Sequence, residues 1–219
     1  ELNKIYVGDA RELVKAILDE SVDLIITDPP YSKEYLGLYT WLAKAASRIL
    51  KPGGLLITLA GHVYLDKIIS GMCKHLDWYW IGGMPNTLGT VGRVHPRQML
   101  CGWKPVLWFS KGKAAAHPYV FDFFHCLADK RYHPWGQPVS WFVYYINKLT
   151  VTGDIIFDPF CGGGAVPAAC KMLGRRWLAF EIDPETARRA RERVARTQPP
   201  LLVPEPVQLG LAWGNDILV

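Results

Sequence analysis

Short β-branched and apolar runs alternate with helix-period segments along this chain, and that alternation restricts its fold more than any other property. Residues 4–7, 22–27 and 55–59 read as strands, and residues 11–18, 39–50 and 63–73 between and after them read as helices. Strand followed by helix, three times over, predicts a parallel sheet covered on both faces, because each crossover helix has to pack back onto the sheet. Two further β-like runs, 78–81 and 106–109, flank a Gly/Pro-punctuated stretch at 82–105 that reads as a wide hairpin loop. The alternation resumes with a helix at 139–149, a strand at 154–157, a helix ending at Leu173, a strand at 177–180 and a last helix from Pro184. The tail, 198–219, opens QPPLLVPEP and reads as extended. With no internal repeat, the expectation is one α/β domain over 1–219, Rossmann-like, mostly parallel, with helices on both faces and one antiparallel edge hairpin.

Composition fits that expectation and narrows the function. A chain of 219 residues that is 50% hydrophobic buries a core large enough for one domain. Its five cysteines, Cys73, Cys101, Cys126, Cys161 and Cys170, form no CxxC pair and leave no complete disulfide framework, which points to a reducing, cytoplasmic setting. No apolar run approaches the ~20 residues that span a bilayer, and the charged start Glu1-Leu2-Asn3-Lys4 lacks the shape of a signal peptide. The six histidines show no metal-ligand spacing, so no metal is expected. A net charge of +5 helps a polyanion approach but does not single one out. The arginines 188, 189, 191, 193 and 196 crowd the last helix, where a solvated face explains them better than a DNA stripe, with Ala187, Ala190 and Val194 making its buried side. Of the nine tryptophans, most read as core, and Trp135 is kept as a possible wall of a site.

Two stretches carry chemistry. The first, TDPPYSKEY from Thr27 to Tyr35, leaves the carboxyl end of a strand, which is where ligands sit in open α/β sheets. Pro29 and Pro30 fix φ and remove two N–H donors, so Asp28 and the preset carbonyls act as acceptors suited to an amino group. Tyr31 offers a flat face on which a planar ring can stack. Taken alone, the stretch fits equally well as a proline turn capping a strand. The second, IIFDPFCGGGAVPAACKMLGRRWLAFEID from Ile155 to Asp183, ends a strand at Asp158, turns through Gly162, Gly163 and Gly164, and enters a helix near Pro167. The next strand ends at Glu181, close to the ~20-residue spacing of an acid that holds ribose hydroxyls. This reads as a nucleoside-cofactor site, and without GxGxxG spacing or a GK pair it favours neither a dinucleotide nor ATP.

Together the two stretches resemble the amino-group DNA methyltransferases that use S-adenosylmethionine, in which DPPY is the catalytic motif and DPFxGxG the cofactor motif. DPPY precedes DPFCGGG here, the circularly permuted order of that superfamily's beta group. Val7-Gly8-Asp9 resembles the strand end whose aspartate contacts the cofactor adenine, and RILKPGGLLIT, 48–58, is similar to the helix-turn-strand after DPPY. His133-Pro134-Trp135-Gly136-Gln137-Pro138 resembles the segment before the cofactor strand, although Gln137 stands where that family usually has lysine. The resemblance implies that Asp158 binds the methionine amino group, Phe160, after Pro159, lies against the adenine, Gly162 and Gly164 approach the methionine carboxylate, and Glu181 holds the ribose. It places His133 and Gln137 at the cofactor as well. It further implies that Asp28 and the Pro29 carbonyl accept hydrogen bonds from an exocyclic amine while Tyr31 stacks on the base.

The same resemblance implies double-stranded DNA as substrate, with adenine N6 favoured by Asp28 and cytosine N4 the alternative. RNA or protein amide methylation and a silent nucleic-acid-binding module are the rival readings. A homodimer and a cognate restriction endonuclease are the candidate partners. Little room is left for a target-recognition domain, so base reading is assigned to the 82–105 loop through Asn86, Arg93, His95 and Arg97, and phosphate contact to 110–132. The expectation is a short or relaxed target sequence.

Overall fold

The computed structural model describes residues 1–86, 91–94, 97–124 and 138–198. In chain order the strands are β1 (Lys4–Val7), β2 (Val22–Thr27), β3 (Leu50–Leu59), β4 (Asp77–Pro85), β5 (Gly92–Val94), β6 (Met99–Cys101), β7 (Trp103–Ser110), β8 (Ile155–Asp158) and β9 (Arg176–Glu181). The helices are α1 (Ala10–Leu13), α2 (Leu36–Ile49), α3 (Leu65–Met72), α4 (Val139–Leu149), α5 (Ala165–Leu173) and α6 (Pro184–Arg196). Seven strands form one sheet in the order β1-β9-β8-β2-β3-β7-β4. β7 runs antiparallel to both of its neighbours, and the other pairs are parallel. The mostly parallel sheet with an antiparallel edge hairpin is therefore present as the alternation predicts.

The two-residue period of each central strand divides the core. Leu24, Ile26, Leu55, Ile57, Leu59, Val106, Trp108 and Ile156 face α4, α5 and α6, packing with Trp141, Tyr145, Val166, Ala169 and Ala187. Ile25, Leu56, Leu107, Phe109 and Phe157 face α2 and α3, packing with Tyr39, Leu42, Ile49, Ile68 and Met72. A one-residue slip in any of these strands would exchange its two faces, and with about 1.5–3 kcal/mol per buried large side chain the register is strongly held. β4 lies at the edge, so Trp78 and Trp80, read from the sequence as core, are 42% and 54% exposed, while Trp108 and Trp177 are buried.

Three elements differ from the sequence reading. The helix expected over 11–18 is one turn, capped by Asp9, followed by a 3-10 turn over Val14–Ala16. Arg48 of α2 explains its early end, because the guanidinium takes the Val14 and Ile17 carbonyls at 2.7 Å each, satisfying groups that another helical turn would have used. β3 starts at Leu50 and runs through Lys51-Pro52-Gly53-Gly54, with an irregular register against β2. The stretch 82–105 is not a plain loop: β4 continues to Pro85, β7 begins at Trp103, and β5 pairs with β6 in a separate ribbon. Gly82 and Gly83 are strand residues whose missing side chains make room for a neighbouring segment. A Cβ on Gly82 would lie 2.4 Å from the Asp122 carbonyl oxygen, and one on Gly83 would lie 2.6 Å from the Phe123 ring. Among the described residues no helix is long and apolar enough to cross a membrane.

Candidate active site

β1, β2, β8 and β9 are mutually parallel and end at one edge of the sheet. Their ends open into a cleft of about 1000 Å³ that is lined by Asp9, Asp28, Pro29, Pro30, Tyr31, Trp41, Lys104, Phe142, Asp158, Pro159, Phe160, Gly162, Gly163, Glu181 and Arg193, among others. The two stretches singled out in the sequence, 120 or more residues apart in the chain, thus share one space.

On the β8–β9 side the acids are held from beneath. Asp158 is buried, and its Oδ1 accepts from the Thr27 hydroxyl at 2.6 Å and the Phe160 N–H at 3.2 Å. Burial pushes this carboxyl up to about 7; the charges of Asp28 and Glu181 add to the rise and the two hydrogen bonds oppose it. Glu181 accepts from the Gly162 N–H at 2.9 Å and the Asp183 N–H at 3.0 Å, and its own carbonyl takes the Gly8 N–H at 2.9 Å. Gly162 sits at φ 47 with open space where a side chain would project, so the backbone there is bare toward a ligand. Gly164, at φ 72, serves a different end: a Cβ there would lie 3.0 Å from that of Ala190, and the missing side chain lets α5 start against α6. Gly163 therefore lines the cleft beside Gly162, and Gly164 packs behind it. Arg193 is buried and donates to the Gly163 carbonyl at 3.0 Å. Phe160 meets Trp41 of α2 edge to face, ring centres 6.1 Å apart.

On the β2 side the Tyr31 hydroxyl donates to Asp28 Oδ1. Desolvation of that hydroxyl, then the Asp28 charge, keeps the phenol protonated. Gly61 clears space for the tyrosine, since a Cβ on it would lie 3.1 Å from that of Tyr31. Lys104 of β7 holds its Nζ 5.7 Å from the Tyr31 ring centre. Asp9 lines the cleft from the β1 side, where its carboxylate takes the Arg11 N–H at 2.8 Å and the Arg11 guanidinium at 2.6 Å.

Of the residues expected to read DNA, Asn86, Arg93 and Arg97 lie apart from this cleft. β4 runs the same way as β3, so the β5–β6 ribbon beyond Pro85 extends from the same edge of the sheet as the cleft. Arg93 and Arg97 are exposed there, with Arg97 donating to the Val63 carbonyl at 3.4 Å. Asn86 instead closes the base of the ribbon, donating to the Cys101 carbonyl at 2.7 Å. Lys111, grouped with the phosphate-contacting candidates, is tied to Glu20 at 3.0 Å and the Leu50 carbonyl at 2.8 Å. His95, His133, Trp135, Gln137 and the tail from residue 199 lie outside the described residues. Among the described residues, no group of three or more His, Cys, Asp or Glu side chains could hold a metal ion.

Trp41, Lys104 and Arg193 line the cleft and Thr27 holds Asp158, roles the sequence reading gives to none of them; it sets Arg193 on a solvated face, whereas that side chain is buried. Arg193 carried a signal, since it follows Ala187 and Ala190 at helical spacing on the face already taken as buried. Thr27 carried a weaker one, a polar residue closing an otherwise apolar strand.

A family model for N6/N4 methyltransferases, described as DNA methylase, matches residues 122–192. The chain is 26% identical to the Type II methyltransferase M.HpaI of Haemophilus parainfluenzae, over 87% of this chain and 74% of that protein. It is 27% identical to the Type II methyltransferase M.BamHI of Bacillus amyloliquefaciens, over 83% of this chain and 55% of that protein. The chain thus spans between about half and three quarters of the length of these relatives. In fold it matches the PvuII DNA methyltransferase, cytosine-N4-specific, with TM-score 0.77, 20% identity, and coverage of 86% of this chain and 85% of that one. It also matches a putative DNA modification methylase from Thermus thermophilus complexed with S-adenosyl-L-methionine, with TM-score 0.75, 21% identity, and coverage of 90% and 95%.

Proposed function

With these matches supporting an amino-DNA methyltransferase family for the chain, we propose that it is a DNA methyltransferase that takes S-adenosylmethionine in the cleft and modifies the exocyclic amine of a base, adenine N6 foremost. The observation that carries the reading is the single cleft onto which Asp28 to Tyr31, Asp158 to Gly163 and Glu181 all open. The donor set fits the cofactor. Asp158 suits an ammonium, Glu181 suits ribose hydroxyls, bare backbone at Gly162 and Gly163 suits close approach of a carboxylate, and Phe160 beside Trp41 suits a flat purine, with Asp9 at its amino edge. His133 and Gln137 are assigned to the same ligand from the sequence resemblance. When bound, the cofactor supplies an electrophilic methyl group on a sulfonium.

What the chain itself contributes is placement and charge. Asp28 and the Pro29 carbonyl accept from the target amine and aim its nitrogen, and near-attack placement of this kind lowers a barrier by up to ~7–11 kcal/mol. The Asp28 carboxylate also faces the positive charge that grows on that nitrogen. The Tyr31 hydroxyl orients Asp28, and its ring stacks on a base that must first leave the duplex to reach the cleft. Arg93 and Arg97, with Asn86 and His95, are assigned to DNA at the ribbon. The Type II designation of the relatives supports a restriction endonuclease as cognate partner.

The second reading is cytosine N4, the specificity in the name of one of the proteins that share this fold. Both are tested by incubating the purified protein with methyl-labelled S-adenosylmethionine and unmethylated plasmid, then analysing the nucleosides by mass spectrometry. N6-methyladenine is the expected product. N4-methylcytosine would move the target to the second reading, and no methylated nucleoside would sink both.

A further inference from the structure

Thr27 is the last residue of β2, directly before Asp28, and it is fully buried. Its hydroxyl does not serve the motif that follows it. It crosses to the neighbouring strand and donates to Asp158 Oδ1 at 2.6 Å, a partner 131 positions away in the chain. The parallel pairing of Leu24 with Ile156 and Ile25 with Phe157 is what brings the ends of β2 and β8 side by side. We propose that Thr27 is a positioning residue for cofactor binding, whose hydroxyl aims and stabilises the Asp158 carboxylate as the receptor for the ammonium at the cofactor's amino-acid end. This rests on the S-adenosylmethionine reading above.

The geometry argues for more than a satisfied strand hydroxyl. Among the described residues both hydrogen bonds to Asp158, from Thr27 and from the Phe160 N–H, fall on Oδ1, and Oδ2 is the oxygen offered to a ligand in the cleft. The surroundings otherwise disfavour a carboxylate. Asp28, just past β2, and Glu181 from β9 bring like charge, and the Cys161 and Cys170 thiols from the loop and α5 are kept neutral by burial. Against these, the hydroxyl is the strongest support for the charged form, which burial has pushed to the edge of neutral pH. An uncharged Asp158 offers an ammonium no ion pair, so the hydroxyl one residue ahead of the base-side acid governs cofactor affinity from the opposite wall of the cleft.

The test is calorimetric titration of the protein with S-adenosylmethionine from pH 6 to pH 9, in wild type, Thr27→Val and Thr27→Ser, with circular dichroism to check folding. Valine keeps the shape and removes the hydroxyl. Thr27→Val is expected to bind about tenfold more weakly at pH 7 and to approach wild type at pH 9, because a hydrogen bond to a charged group is lost and the carboxyl ionises later. Thr27→Ser is expected to keep wild-type affinity and pH profile. Thr27→Ala carries the same expectation as valine should the valine variant not fold. Wild-type affinity in the hydroxyl-free variants, an equal loss in Thr27→Ser, or a loss that does not change with pH would overturn the proposal. Absence of binding by the wild-type protein at every pH would instead overturn the cofactor reading beneath it.

Discussion

Asp158 and Glu181 are held by groups that belong to the scaffold, a strand-end hydroxyl and backbone N–H groups, whereas Asp28 takes a hydrogen bond from Tyr31, the residue to which the proposed function assigns the base. The β8–β9 wall is therefore set before any ligand arrives. On the β2 wall, under the proposed function, a group that orients the acid also accepts the substrate, which links base entry to the alignment of Asp28. The difference teaches that binding of one ligand and chemistry on the other are separable by mutation, although both occur in one cleft.

The largest expected effect on ligand binding comes from breaking the fixed wall. Asp158→Asn is expected to lower S-adenosylmethionine affinity at least about 100-fold in calorimetry, since it removes the buried acid opposite the ammonium. The same change is expected to stabilise the free protein at high pH. Asp158 titrates near about pH 4 when unfolded but at about 7 in the fold, so between those values the folded state keeps a proton that the unfolded chain has lost, and stability falls as pH rises through that window. Urea unfolding at pH 5 and pH 8 should show the variant gaining on the order of 2–4 kcal/mol relative to wild type at the higher pH. Retained cofactor affinity would remove the contrast between the walls.

On the other wall, Asp28→Ala is expected to cut methyl transfer at least about 10²–10³-fold while leaving cofactor affinity within about twofold, measured by single-turnover transfer and calorimetry. A parallel loss of cofactor affinity would show the walls to be one unit. Tyr31→Phe sharpens the point, because it keeps the ring and removes the hydroxyl on Asp28. A turnover about tenfold lower with DNA affinity unchanged is expected, and Tyr31→Ala should weaken DNA binding as well through the lost stacking, by about 1–3 kcal/mol. The smallest effect belongs to the ribbon. Arg93→Ala and Arg97→Ala should each weaken DNA binding several-fold and flatten its salt dependence by about one unit of log–log slope, with no change toward the cofactor.

The strand ends and the glycine turn were legible in the sequence because each has a local cause: prolines that fix φ, a glycine at positive φ, an acid closing an apolar run. The partners of Thr27 and Arg193 were not, since they are chosen by the strand order and by the packing of α6 on α5, and neither is written near these residues in the chain. Gly82 and Gly83 misled in the opposite sense. They read as loop punctuation, but they are strand residues kept bare for Asp122 and Phe123. Trp78 and Trp80 showed the strand pattern correctly, and only the sheet order made their strand an edge.

The pairing of β1 with β9 sets a schedule for assembly. Lys4 to Val7 find their partners only at Leu178 to Glu181, and Asn3 reaches the Trp177 N–H across 174 positions. At ~5–20 residues per second, a ribosome delivers that partner strand on the order of 10–30 seconds after the first strand has emerged. Until then the opening segment has no ladder to join, and the loop closed by this pairing is among the longest the chain forms. Asp9 and Glu181 come to line one cleft only at that closure, so a half-made chain with its central strands already packed still lacks one wall of it.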